Sequence, residues 1–211
     1  ALGGVMALSS DSTTGSPPEQ AAAPGATPLA DTIPGTAGAD VLRGLDGDDW
    51  INGYAGADDI EGDADDDRLW GGEGADRAAG ERGDDTLHGD SGPDSLDGGG
   101  GDDALYGHVG YDNLAGGAGD DLLQGGGGAD VLHGGDGNDA VHGHAGDDSL
   151  DGGKGADTLF GGDGDDTLSG RHSGRSDAPD PGVSDFLNGG DGDDDIVMGR
   201  DDVVTGGTGS D

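Results

Sequence analysis

Residues 152–160 read GGKGADTLF, and the same nine-residue frame fills positions 35–169 as fifteen consecutive units with no insertion or deletion. Position 1 of the frame is Gly in all fifteen, from Gly35 to Gly161, and position 6 is Asp in all fifteen. Position 4 is Gly in fourteen, the exception being Asp65, and position 8 is Leu, Ile or Val in fourteen, the exception being Ala78. A period this short means one small unit stacked on copies of itself. Positions 7 to 9 are expected to form a three-residue strand whose side chains alternate out, in, out, so that only the aliphatic residue enters the core. The six residues before them are expected to form a tight turn, in which glycine accepts φ > 0. Two units, eighteen residues, then close one circuit. Stacked circuits give an all-β fold, a parallel β-roll (a β-solenoid) of two short sheets, expected to coil right-handed. Seven and a half circuits at about 4.8 Å each predict a rod roughly 36 Å long.

Working outward, the composition explains what such a roll needs. The 211 residues carry 47 acidic and 8 basic side chains, a formal charge of 8 − 47 = −39, with 52 glycines and only 29% hydrophobic residues. By these measures alone the chain belongs with disordered polymers, because few apolar groups oppose the entropy of ordering it. Its charge repels itself out of any compact state and excludes nucleic acid and anionic membrane as partners, since both are recognised by basic patches. A multivalent cation is the natural counterweight. There are no cysteines, which excludes disulfides and thiolate metal sites. No run of residues is long and apolar enough for a transmembrane helix.

Calcium suits the pattern: it takes six to eight oxygens from carboxylates and backbone carbonyls, and a glycine turn with one aspartate offers both. The frame GGxGxDxUx, with U a large aliphatic residue, resembles the RTX or hemolysin-type calcium-binding repeat, unbroken over 35–169 and looser to Asp211. The resemblance implies a roll with Ca²⁺ between its turns, in a secreted or cell-surface bacterial protein exported by a type I system. It places the metal on Asp40, Asp49, Asp58, Asp67, Asp76, Asp85, Asp94, Asp103, Asp112, Asp121, Asp130, Asp139, Asp148, Asp157 and Asp166, and on Asp185 and Asp194 in the looser part. Loops eighteen residues apart stack on one edge, so an ion is expected between pairs such as Asp121 and Asp139. Fifteen loops give 15 − 2 = 13 pairs, hence about 13 Ca²⁺ or somewhat more, which would bring −39 to −13. The chain departs from the consensus at position 2, where Gly stands in seven of the fifteen units. Thr36, Leu45, Tyr54, Asp63, Glu81, Asp90, His108 and His144 replace it. Occupancy is expected to fail first in the four amino-terminal units, none of which has Gly there.

Other metal readings fit less well. Asp63, Asp65 and Asp67 imitate the start of an EF-hand loop, but Arg68 stands where glycine is needed and Gly74 where glutamate is needed. The six histidines, His142 and His144 included, are read as surface residues rather than zinc ligands.

Residues 1–34 hold five of the eight prolines and are expected to be a flexible linker. Its opening ALGGVMAL, residues 1–8, is expected to be the remnant of an export or anchor segment, and the chain to be a fragment of a longer protein. Residues 170–188 are a unit stretched by ten residues, and 189–211 are looser units around Ile196 and Val204. Position 9 of alternate units places Trp70, His88, Tyr106, Gln124, His142 and Phe160 in one outward column, read as a stabilising ladder or a docking or glycan-binding face. Ala78 is the weak point of the core. No catalytic constellation is present, neither HExxH nor GxSxG. The functional expectation is therefore calcium binding with Ca²⁺-triggered folding, not enzymatic activity. The alternative is the repeat region of a larger secreted enzyme, toxin or adhesin whose active part lies elsewhere. An ice-binding surface would need a row of Thr and Asn that neither sheet has.

Overall fold

The computed structural model describes residues 26–170, 184–199 and 201–211. The expected export remnant at 1–8 and the segment Arg171 to Gly182, around which the ten extra residues fall, lie outside them. The described residues form nineteen β-strands and no helix, wound as a parallel β-solenoid. Odd-numbered strands, counted along the chain, make a ten-stranded sheet from Thr32–Pro34 to Val203–Thr208, each paired with the next odd one, and even-numbered strands a nine-stranded sheet from Val41–Asp46 to Asp195–Val197. The expected β-roll is what the chain adopts.

The nine-residue period fixes the register. In the middle of one sheet β8 (Ser95–Gly100), β10 (Asn113–Ala118) and β12 (Val131–Asp136) pair in parallel, with Leu96, Leu114 and Leu132 stacked eighteen residues apart. The other sheet does the same with β7 (Thr86–Ser91), β9 (Ala104–Val109) and β11 (Leu122–Gly127), stacking Leu87, Leu105 and Leu123. These two aliphatic columns are the whole core, buried from Ile33 and Leu42 through Leu168 to Leu187. Ile196 and Val204 are only partly buried against it, in keeping with the looser spacing there. After Leu159 the partner in the next circuit is Leu187, twenty-eight residues on rather than eighteen, so the ten-residue excess leaves the ladder in phase.

Strand length departs from expectation. Most strands have six residues, not three, running from position 7 through position 3 of the next unit and leaving a three-residue turn. Identical loops stacked in register can continue the parallel ladder round the corner: Gly99 pairs with Gly117, and the Gly101 N–H donates to the Ala118 carbonyl at 2.9 Å. The corner is made at position 2, where φ is positive at Gly and non-Gly residues alike: Leu45 (87°), Tyr54 (74°), Asp63 (79°), Glu81 (78°), Asp90 (71°), His108 (73°) and His144 (80°). Every non-glycine residue there except Thr36 holds a conformation that L-residues adopt at a cost. Asp65 does the same at position 4, with φ 76°.

The roll also begins earlier than the glycine pattern suggests. Thr32–Pro34 form β1, paired with β3 (Trp50–Gly56), and Ile33 is buried in the core column. Residues 26–34, read as linker, are a repeat without glycines, with Asp31 at position 6 and Ile33 at position 8.

Two substitutions test this packing. A Cβ on Gly98 would stand 2.4 Å from Asp103 Oδ2 and 2.6 Å from the Gly116 carbonyl, whereas one on Gly100 would meet nothing closer than 4.0 Å. Gly98→Ala is expected to lower the thermal midpoint sharply and Gly100→Ala to leave it within a few degrees; equal effects would refute the loop geometry. Ala78 lies between Ile60 and Leu96 in its column. Ala78→Leu is expected to stabilise the roll by about 1–2 kcal/mol in chemical denaturation, and a loss of stability would show that no space exists there.

Candidate metal centre

The position-6 aspartates are drawn inward by the turn that carries them. Asp49, Asp67, Asp85, Asp103, Asp121 and Asp139 along one edge, and Asp58, Asp76, Asp94, Asp112, Asp130 and Asp148 along the other, are each no more than 3% exposed. Each backbone N–H donates to Oδ1 of the aspartate one circuit later: Asp67 to Asp85 at 2.7 Å, Asp103 to Asp121 at 2.8 Å, Asp121 to Asp139 at 2.9 Å. All thirteen expected loop pairs, from Asp40–Asp58 to Asp148–Asp166, are joined in this way. Asp157 and Asp166 reach across the insertion to Asp185 and Asp194.

Oδ1 is thereby satisfied, and Oδ2 is not. From Asp49 to Asp148 without a gap, and again in Asp166 and Asp194, Oδ2 is buried with no hydrogen-bond donor. A buried carboxylate oxygen without a partner costs several kcal/mol unless something positive meets it. These oxygens point at the position-1 glycine of their own loop, beside the position-1 carbonyl of the next circuit. Ideal Cβ atoms on Gly107 and Gly116 would meet Asp112 Oδ2 and the Gly125 carbonyl at 2.5 and 2.6 Å, and Asp121 Oδ2 and the Gly134 carbonyl at 2.4 and 2.7 Å. Position 1 is therefore glycine throughout 35–169, because a carboxylate and a carbonyl already crowd the place of its side chain. Two oxygens, one charged and without a donor, form a donor set that fits a hard cation such as Ca²⁺. Among the described residues no three His, Asp or Glu side chains converge as a metal cluster, so backbone carbonyls must contribute to any ion held there.

Burial pushes these carboxyls up, against the N–H bond each accepts, and the aspartates above and below raise several further. Asp67, Asp94, Asp103 and Asp148 are raised to about 7, and Asp85, Asp112, Asp121, Asp139 and Asp166 to about 6.

The profile of the RTX calcium-binding nonapeptide repeat matches the chain in six windows that together cover residues 27–171: 27–60, 34–69, 53–87, 79–114, 110–141 and 142–171. The chain belongs to this family. No curated protein gives a significant match. The RTX repeats imply calcium binding, and their match beginning at residue 27 agrees with the early start of the roll.

Several residues of this RTX roll escaped the sequence reading. Asp31, Asp202 and Asp211 belong to the same ladder: the Asp31 N–H donates to Asp49 Oδ1 at 2.7 Å, and Asp202 and Asp211 accept from Asp185 and Asp194 at 3.2 and 3.4 Å. A second, exposed ladder runs in the opposite sense at position 5, where each N–H donates to the residue one circuit earlier. It links Asp66 to Asp48, Asp84 to Asp66, Asp102 to Asp84, Asp120 to Asp102 and Asn138 to Asp120, all on one edge. The first edge continues to Ala156, whose N–H donates to Asn138 Oδ1; the other edge has Ala57, Ala75, Pro93, Tyr111 and Ala129 at this position and gains such rungs only at Asp147, Asp165 and Asp193. The signal was visible as an eighteen-residue alternation inside the nine-residue one.

The outward column is a ladder of rings. Trp70 and His88 stack at 5.3 Å with planes 9° apart, His88 and Tyr106 at 4.8 Å and 11°, and, beyond Gln124, His142 and Phe160 at 5.0 Å and 9°. Neighbouring rings cover one another's faces, the surfaces that a sugar would stack on, so this geometry supports the structural reading. The opposite sheet carries ion pairs instead, Arg43 with Glu61 and Lys154 with Asp136.

The raised carboxyls give the roll a pH dependence. A folded-state pKa above the unfolded value of 3.8 means that the metal-free roll keeps protons that the unfolded chain has released. Metal-free stability is therefore greatest below about pH 4 and is lost as pH rises toward 6–7. Calcium competes with those protons, so lowering the pH from 7.5 to 5 is expected to weaken calcium binding by about tenfold or more. Calorimetric titration at the two pH values checks this, and equal affinities would contradict it.

Proposed function

We propose that calcium folds and stiffens this chain outside the cell. The carrying observation is the unbroken row of buried Oδ2 atoms without donors, from Asp49 to Asp148. A roll that buries a carboxylate every nine residues and one aliphatic side chain per unit has little to hold it together while those charges lack a counterion. Each ion would be bound by position-6 aspartates of successive circuits and by position-1 carbonyls. About thirteen ions, or somewhat more, would fill the stacked pairs Asp40–Asp58 to Asp148–Asp166 and those beyond them. Metal binding is then part of the folding reaction.

This chemistry suits a secreted or cell-surface bacterial protein with type I export, the setting in which RTX repeats are typically found. Where calcium is scarce the acidic chain stays extended and exportable; at extracellular concentrations it closes. The absence of cysteine agrees with stabilisation by metal instead of disulfides.

Far-UV circular dichroism in EGTA, followed by CaCl₂, tests the reading. The expected result is a disordered spectrum that becomes β-type at roughly 10⁻⁴–10⁻³ M calcium, with about thirteen ions bound by calorimetry. A β-type spectrum at neutral pH that is indifferent to EGTA would overturn it.

A further inference from the structure

The two loops at the amino-terminal end of the roll close differently from those of Asp49 to Asp148. In residues 26–34 the Thr27 N–H and hydroxyl both donate to Asp31 Oδ2, at 2.7 and 2.9 Å. In residues 35–43 the Thr36 N–H and hydroxyl donate to Asp40 Oδ2, at 2.6 and 2.9 Å. Both threonines stand at position 2 of the frame, and neither has the positive φ that makes the corner in the next loops at Leu45, Tyr54 and Asp63. In those next three loops Oδ2 of Asp49, Asp58 and Asp67 is buried without a donor. Asp31 and Asp40 are only half-buried. Asp40 Oδ2 lies 3.0 Å from the Cβ position of Gly35, against 2.2 Å for Asp49 Oδ2 at Gly44. Their own N–H groups still donate to Oδ1 of Asp49 and Asp58, so the stacking ladder is intact and only the second oxygen differs.

We infer that threonine takes the place of calcium at Asp31 and Asp40, so that the calcium array starts one circuit inside the amino-terminal end of the roll. This rests on the calcium reading proposed above and sharpens it. An N–H and an O–H aimed at one carboxylate oxygen supply, as fixed dipoles, the positive potential that Oδ2 of Asp49 and its successors lacks. The same hydrogen bonds occupy the lone pairs that an ion would need, and an ion entering there would leave the threonine N–H without its acceptor. The ion expected between Asp40 and Asp58 is thereby excluded. The first ions lie between Asp49 and Asp67 on one edge and between Asp58 and Asp76 on the other. Lack of glycine at position 2 is not what empties a loop. Behind Leu45, Tyr54 and Asp63 the Oδ2 atoms are as unmet as behind glycine, and those loops stay in the array. Among the four amino-terminal units of the regular frame, occupancy then fails at the threonine loop and not at the other three.

Native mass spectrometry of the full chain in calcium, which counts bound ions one at a time, tests this, with circular dichroism showing that each variant is folded. Asp40→Asn keeps an oxygen for the threonine donors and is expected to leave the parent's count unchanged, whereas Asp103→Asn lowers it by at least one. Thr36→Gly removes the hydroxyl, admits φ > 0 and completes the GGxGxDxUx frame over residues 35–43. It is expected to add one ion. A count lowered by Asp40→Asn, or not raised by Thr36→Gly, overturns the inference; Asp40→Asn decides alone if the glycine variant does not fold. A parent that binds no calcium overturns the calcium reading and this one with it. A loaded parent whose count falls with Asp40→Asn overturns this one only, so the two failures are told apart.

Discussion

Everything in this roll depends on a carboxylate that does two jobs with its two oxygens. Oδ1 of each position-6 aspartate from Asp49 to Asp194 accepts the backbone N–H of the loop one circuit earlier, as Asp121 does for Asp103. That bond fixes the height of one circuit above another and forces the side chain into the interior of the edge. From Asp49 to Asp148, Oδ2 is then carried inside with no proton donor. The stacking that makes the fold regular is thus the same event that creates a demand for positive charge. Both belong to one side chain, the acceptor on one oxygen and the unmet charge on the other.

The glycines follow from this constraint. Position 1 lacks a side chain because the carboxylate and the next carbonyl occupy its place, as at Gly98. Position 2 needs φ > 0 to turn the strand, yet seven non-glycine residues accept it. The first requirement is steric, so the sequence keeps glycine there in all fifteen units of 35–169. The second is a backbone preference of about 1–2 kcal/mol, which the cooperative stack overrides wherever another side chain stands.

That difference also explains what the sequence made legible. The fold, the phase of the strands, the core column and all thirteen stacked aspartate pairs follow from strict positions 1, 6 and 8. The unit at 26–34 was missed because it keeps Asp31 and Ile33 but none of the glycines, and Thr32–Pro34 still pair as a strand. Strand length was underestimated because the glycine-rich half of each unit looks like turn in isolation. Only stacking on a copy of itself gives it ladder partners. The position-5 ladder was written in plain sequence as Asp48, Asp66, Asp84, Asp102 and Asp120, but a nine-residue frame averages it with the alanines of the other edge. The threonine closures at Asp31 and Asp40 had only a faint signal, a threonine at position 2, which a glycine frame counts as a lapse.

The direction of the aspartate ladder carries one more consequence. At position 6 each N–H is capped by the carboxylate of the circuit that follows it in the chain, whereas the exposed N–H groups of the position-5 ladder are capped by the circuit before. A circuit is therefore left incomplete until its carboxy-terminal neighbour is in place, in the way a course of masonry waits for the one that locks it. For a polymer that emerges amino-terminus first, the finished end is the last to arrive. The buried ladder thus closes each circuit from its carboxy-terminal side.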